Sequence, residues 1–78
     1  MTSVKVSLNS IDKVKDFVNE ISTFDKVEFD LVAGRYVIDA KSIMGIFSLD
    51  INKPIDLNIY AEEGIDEILE KIKPYLAE

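Results

Sequence analysis

Two hydrophobic periods alternate along the chain. Residues 3–8 read Ser-Val-Lys-Val-Ser-Leu, so Val4, Val6 and Leu8 stand between polar neighbours. That period of two predicts a strand with one buried face. Ile11, Val14, Phe17, Val18 and Ile21 then recur at helical spacing, with Lys13, Lys15, Asp16 and Glu20 between them. This predicts a helix of about three turns with a single apolar stripe. Asn9 and Ser10, just ahead, supply N-cap chemistry.

Alternation returns at Val27, Phe29 and Leu31, and again at Tyr36, Ile38 and Ala40 on one face of a return strand. Ala33-Gly34 predicts the turn of a hairpin, read here as a four-residue type of loop. Ile55, Leu57 and Ile59 form a fourth alternating run after Pro54. Beyond Gly64, Ile65, Ile68, Leu69, Ile72 and Leu76 trace a second long amphipathic helix, with Pro74 marking its fraying or end. Between the hairpin and the fourth strand, residues 41–49 are too apolar for a loop and too short for a long helix. Ser42 suits the N-cap of one or two helical turns there.

The predicted order is therefore β-α-β-β-α-β-α. Alternation in every strand gives the sheet one apolar and one wet face, the pattern of antiparallel pairing. The helices carry single stripes and belong on the apolar face. The expectation is an α+β fold: a two-layer open-faced sandwich, one domain over residues 1–78.

Composition narrows the chemistry. With 47% hydrophobic and 31% charged residues the chain is globular rather than disordered. It contains no cysteine and no histidine. That removes disulfides, thiol catalysis, Cys-type zinc sites and the commonest neutral-pH acid–base group. A net charge of −6 argues against nucleic acid or an anionic membrane as partner. No apolar run reaches the roughly 18–20 residues of a membrane span. The start of the chain lacks a signal peptide's apolar region, so a cytoplasmic protein is expected. A protein-binding module or a carboxylate-based site remains. No cofactor and no metal are expected.

The run Ala40-Lys41-Ser42-Ile43-Met44-Gly45-Ile46-Phe47-Ser48-Leu49 resembles HPr, the small phosphocarrier family of the bacterial sugar phosphotransferase system. That family carries a Lys-Ser-Ile-Met-Gly stretch, a hydrophobic pair and then Ser-Leu. The likeness extends to the element order, the hairpin before the motif and the run Ala61-Glu62-Glu63-Gly64 into the last helix. The resemblance implies the HPr-like fold and a non-enzymatic role in sugar transport or catabolite regulation.

It also implies two functional centres. The first is a phospho-accepting histidine in a His-x-Arg-Pro context at the start of the first helix. Matching the buried stripes places Ser10 opposite that histidine, Asp12 on the arginine and Lys13 on the proline. Matching the first strands instead leaves residues missing between strand and helix. In neither alignment is a histidine present, so the imidazole relay cannot run. The second centre is the regulatory serine, which falls on Ser42. In low-GC Gram-positive relatives a kinase/phosphorylase modifies it, and the phosphoserine form is a corepressor for a catabolite-control transcription factor. Some members that lack the histidine act in regulation only.

Phosphoserine, with charge approaching −2, suits a helix N-terminus. Ile43, Met44, Ile46 and Phe47 are assigned to a protein-docking patch beside it, with part of the cluster expected in the core. Ser42 also has a plainer role as an N-cap. Ser10 and Asp12 as substitute phosphoryl acceptors need a metal-binding cluster or basic partners, and only Lys13 and Lys15 lie near. Capping by Ser10 and dipole complementation by Asp12 account for both. Glu62, Glu63, Asp66 and Glu67 read as the acidic start of the last helix rather than a divalent-cation site. Arg35 reads as a solubilising residue at the hairpin tip. The expected function is an HPr-like regulatory or adaptor module. The alternatives are a phosphocarrier with a non-histidine acceptor and an unmodified interaction domain. Expected partners are proteins: an HPr kinase/phosphorylase, a transcriptional regulator or transport components.

Overall fold

The computed structural model describes residues 1–77 of the chain. The elements are β1 (Thr2–Val6), α1 (Ile11–Ser22), β2 (Glu28–Ala33), β3 (Tyr36–Asp39), α2 (Ile43–Phe47), β4 (Ile55–Tyr60) and α3 (Ile65–Ile72), followed by a 3₁₀ turn at Lys73–Tyr75. The strands form one sheet in the order β1-β4-β2-β3, antiparallel throughout. The fold class is the α+β sandwich that the alternation predicted.

The register sorts the two faces. Val4 pairs with Leu57, Leu57 with Leu31, and Leu31 with Ile38, giving one apolar row across the sheet. The neighbouring row on the other face runs Ser3, Asn58, Asp30, Asp39. The apolar rows meet Val14, Phe17, Val18 and Ile21 of α1, Ile46 of α2, and Ile68 and Ile72 of α3 in one buried cluster. Among the described residues no polar or charged residue is buried. No buried hydrogen-bonding debt therefore sets against this burial. No helix of the described residues is long and apolar enough to cross a membrane.

Four local expectations are corrected. The hairpin closes on Gly34 and Arg35 alone, with Ala33 and Tyr36 already paired. Gly34 has φ +61° and no non-glycine residue among the described ones has positive φ, the sign pattern of a tight type II′ turn. Ile11 is not in the buried stripe, being 59% exposed. Helical side chains lean toward the N-terminus, so that of the first helical residue leans off the end of α1. Tyr36 shares the face of Ile38 and Ala40 but stays 68% exposed at the end of an edge strand. Finally, the last helix is shorter than its apolar spacing implies. Pro74 has no N–H and crowds the carbonyl four residues back, so the chain tightens into the 3₁₀ turn. Leu76 then pairs with Val6 as an extra strand-like bridge.

Candidate functional site

Ser42 is delivered by a short, heavily bonded link from β3. The Ala40 N–H donates to the Phe29 carbonyl at 2.9 Å, extending the pairing just past β3. The Asp39 carboxylate then accepts from the Lys41 N–H at 2.9 Å, and the Asp39 carbonyl accepts from the Ser42 N–H at 3.0 Å. Lys41 fixes the link from the other side. Its Nζ donates to the carbonyls of Phe24 (3.0 Å) and Val27 (2.9 Å) in the α1–β2 connection. It also lies 5.6 Å from the centroid of the Phe29 ring, within cation–π range. The motif lysine is thus a positioning residue for the segment before α2. The sequence places it beside Ser42 but gives no sign of this role, because its acceptors are backbone carbonyls far away in the chain.

At Ser42 the backbone is extended, with φ −95° and ψ 104°. The Ser42 Oγ accepts the Gly45 N–H at 3.1 Å, and the Ser42 carbonyl accepts the Ile46 N–H at 3.0 Å. The serine is therefore the N-cap of α2, half-buried and placed where the helix begins. Gly45 fits tightly behind it, since a Cβ there would lie 3.2 Å from Ser42 Oγ and 3.4 Å from Ile38 Cδ1.

The hydrophobic cluster after Ser42 splits. Met44 is 80% and Phe47 38% exposed, whereas Ile46 is completely buried and Ile43 is half-buried against the core. At ~100° per residue, Met44 stands about 160° around α2 from Ile46, on the side away from the sheet. Ile46 is therefore core and drops out of the docking patch. Ile43 contributes only its outer edge. Met44 and Phe47 remain as the exposed apolar pair beside the serine.

The start of α1 is built in the same way but carries different neighbours. The exposed Ser10 accepts the Lys13 N–H at 3.1 Å through its Oγ and the Val14 N–H at 3.1 Å through its carbonyl. Asp12 lies in the first turn, with Lys13 exposed beside it. The cap thus occupies the Lys13 amide, one of those an anion would need, while the Val14 bond is the first ordinary bond of the helix. Contacts between α1 and α2 bring the two helices together in the layer over the sheet. No group of acidic residues among the described ones forms a metal-binding cluster, Glu62, Glu63, Asp66 and Glu67 included. One titratable group stands out, away from Ser42. Burial first, then the negative charges of Asp16 and Glu20, push the Tyr75 phenol above its ordinary value.

Comparison with known proteins places this geometry. The family model described as the PTS HPr component phosphorylation site matches residues 13–78. The match takes in Ser42 and its flanking run and begins after Ser10. Among solved structures, HPr-C-His from Thermoanaerobacter tengcongensis is similar in fold, with a TM-score of 0.74 at 20% identity. The likeness covers 95% of this chain and 89% of that one. None of the curated proteins matches. With most of its length under that family model, the chain belongs to the HPr family of phosphotransferase-system phosphocarrier proteins.

Proposed function

We propose that this chain is a regulatory or adaptor module of the phosphotransferase system. It acts by binding proteins at the Met44/Phe47 surface and by phosphorylation at Ser42, in the cytoplasm. HPr-family proteins are phosphocarriers rather than enzymes, and they interact with other proteins of the system. One observation carries the narrower reading: the chain has no histidine, while the Lys-Ser-Ile-Met-Gly motif and its serine are present. Ser10, opposite the family's histidine, is an exposed cap with Asp12 in the following turn. Neither an imidazole nor a guanidinium stands there to take and hold a phosphoryl group.

At Ser42 a kinase would direct the Oγ onto the terminal phosphorus of a nucleoside triphosphate. The hydroxyl proton leaves to a base of the kinase, and the nucleoside diphosphate departs. The bridging oxygen can still accept the Gly45 amide, so the cap survives the modification. The new charge, set against a chain of net charge −6, requires a basic pocket on the partner. Met44 and Phe47 supply the apolar area beside it.

The test is mass spectrometry after two incubations. With phosphoenolpyruvate and the system's first enzyme, the mass should not change. With ATP and a Gram-positive HPr kinase, wild type should gain a single phosphoryl group that Ser42→Ala does not. A phosphoryl gain in the first incubation overturns the regulatory reading in favour of a non-histidine carrier. A kinase that modifies an ordinary HPr in the same tube yet ignores this chain leaves the unmodified adaptor.

A further inference from the structure

The two edges of the sheet are finished differently. At β1 the tail of the chain closes the edge: the Ser7 N–H donates to the Tyr75 carbonyl at 2.7 Å and the Ala77 N–H to the Lys5 carbonyl at 2.9 Å. At β3 nothing does. Tyr36 and Val37 on that edge are 68% and 63% exposed, with no proline or lysine among the strand's residues to blunt it. The Ala40 N–H points inward to Phe29, and backbone direction alternates along a strand. The N–H and C=O of Val37 therefore point outward, as do those of Asp39.

The charges on this edge are also unbalanced. Asp30 and Asp39 are directly paired across β2 and β3 on the wet face. Neither takes part in an ion pair among the described residues, and neither does Arg35, the only arginine in the chain. Like charges directly opposite one another destabilise a sheet.

We infer that β3 is a self-complementary edge that pairs antiparallel with β3 of a second copy, Val37 facing Val37 across a two-fold axis. Such an axis stands perpendicular to the sheet, so paired residues lie on the same face. The register can then centre on Tyr36, Val37 or Ile38. Only the Val37 register sets Arg35 of each copy against Asp39 of the other. It also places the outward Val37 N–H and C=O of each copy against those of its partner. Each Asp30–Asp39 pair gains a guanidinium, and Tyr36 faces Ile38 on the helix side. The Asp39 carbonyl already accepts the Ser42 N–H but retains a second lone pair for the new strand. The product is a continuous sheet with the helices of both copies on one face.

The strand is short, so the contact belongs to the small, transient class of interfaces, below roughly 1,200 Å². The net charge of −6 on each copy opposes approach, but salt near 0.15 M screens it beyond about 8 Å while leaving the contact pairs in place. Association should therefore appear between high micromolar and millimolar protein at physiological salt.

Sedimentation velocity across that range, with amide NMR shifts followed on dilution, tests the proposal. The expected result is reversible dimerisation with shifts concentrated at residues 35–39. Val37→Lys and Arg35→Asp, both exposed, should each weaken it about tenfold or more. Asp39→Arg should do the same, and an equimolar mixture of Arg35→Asp with Asp39→Arg should regain dimers, because opposite charges again face each other. A chain that stays monomeric at millimolar concentration overturns the inference. So do Val37→Lys and Arg35→Asp variants that associate like wild type, or shifts that centre on Met44 and Phe47.

Discussion

The Gly45 amide and the Ser42 Oγ hold each other at 3.1 Å, and the absence of a side chain on Gly45 is what leaves room for the pair. A Cβ on Gly45 would sit 3.2 Å from the same oxygen. Ile38 Cδ1, 3.4 Å away, is the far end of a flexible chain and can yield. The serine oxygen is held by the cap bond and cannot move without stretching it. Gly45→Ala therefore sets two terms against each other: about 1 kcal/mol gained from helix propensity and about 1 kcal/mol lost from a disturbed cap. Urea unfolding should give a stability within roughly 0.5 kcal/mol of wild type, while the proposed phosphorylation of Ser42 by an HPr kinase slows. A large destabilisation with unchanged phosphorylation would show that Gly45 serves packing alone.

Ser42 itself separates capping from charge. Ser42→Ala loses the acceptor for the Gly45 amide and should cost roughly 0.5–2 kcal/mol. Ser42→Asp keeps an acceptor and places a negative charge at the helix start, so stability should stay near that of wild type. Denaturant midpoints of the three proteins check this ordering. If Ser42→Asp is as unstable as Ser42→Ala, the cap geometry does not tolerate an acid and phosphorylation would strain it.

The start of α1 should not bind anions. The Lys13 amide is taken by the Ser10 side chain, and Asp12 adds negative charge in the same turn. Titration with phosphate or sulfate should leave the backbone amides of residues 10–14 without saturable shifts. Saturation at low millimolar anion would revive a phosphoryl-carrying role for this terminus.

Tyr75 packs edge-on against the buried Phe17, their ring centroids 5.5 Å apart, and its phenol is held above its ordinary value by burial and by Asp16 and Glu20. The sign of the linkage follows. Above the unfolded value of 10.0 the unfolded chain releases the phenolic proton before the folded one does. The folded state then binds more protons, and stability falls as pH rises. The contribution of the neutral phenol is complete below pH 10 and is lost as pH climbs through the raised value. Comparing stability against pH for wild type and Tyr75→Phe isolates this from lysine titration. Wild type should lose stability relative to Tyr75→Phe above pH 10, and the difference between them should be flat below it.

The architecture was readable because period two and the helical period both report which face is buried. The rows from Val4 to Ile38 and the stripe from Val14 to Ile21 fell where the alternation put them. The caps at Ser10 and Ser42 were readable for a similar reason: cap chemistry is local. What the sequence hid was non-local. Ile11 fits the stripe, yet nothing lies beyond the helix end to cover it. Leu76 fits the next turn of α3, yet Pro74 turns the chain away to pair with Val6. Lys41 finds its acceptors in the connection after α1, a contact only the folded chain creates.

Met44 and Ile46 give the sharpest contrast, since their environments are opposite although a single residue separates them. A helix of five residues is too short for its apolar spacing to define a face, which is why the sequence alone grouped them. The structure gives each a separate expected outcome. Ile46→Ala empties a fully buried site between helix and sheet and should cost roughly 2–5 kcal/mol. Met44→Asp changes a side chain that is 80% exposed, so the melting temperature should hardly move. Under the proposed function, binding to a regulator or transport component should nonetheless weaken by about tenfold or more, through lost apolar contact and a new charge beside Ser42. Calorimetric melting and pull-down affinity on the same two variants read both effects. A Met44→Asp protein that melts normally and still binds such a partner at full strength would take the proposed docking surface away from α2.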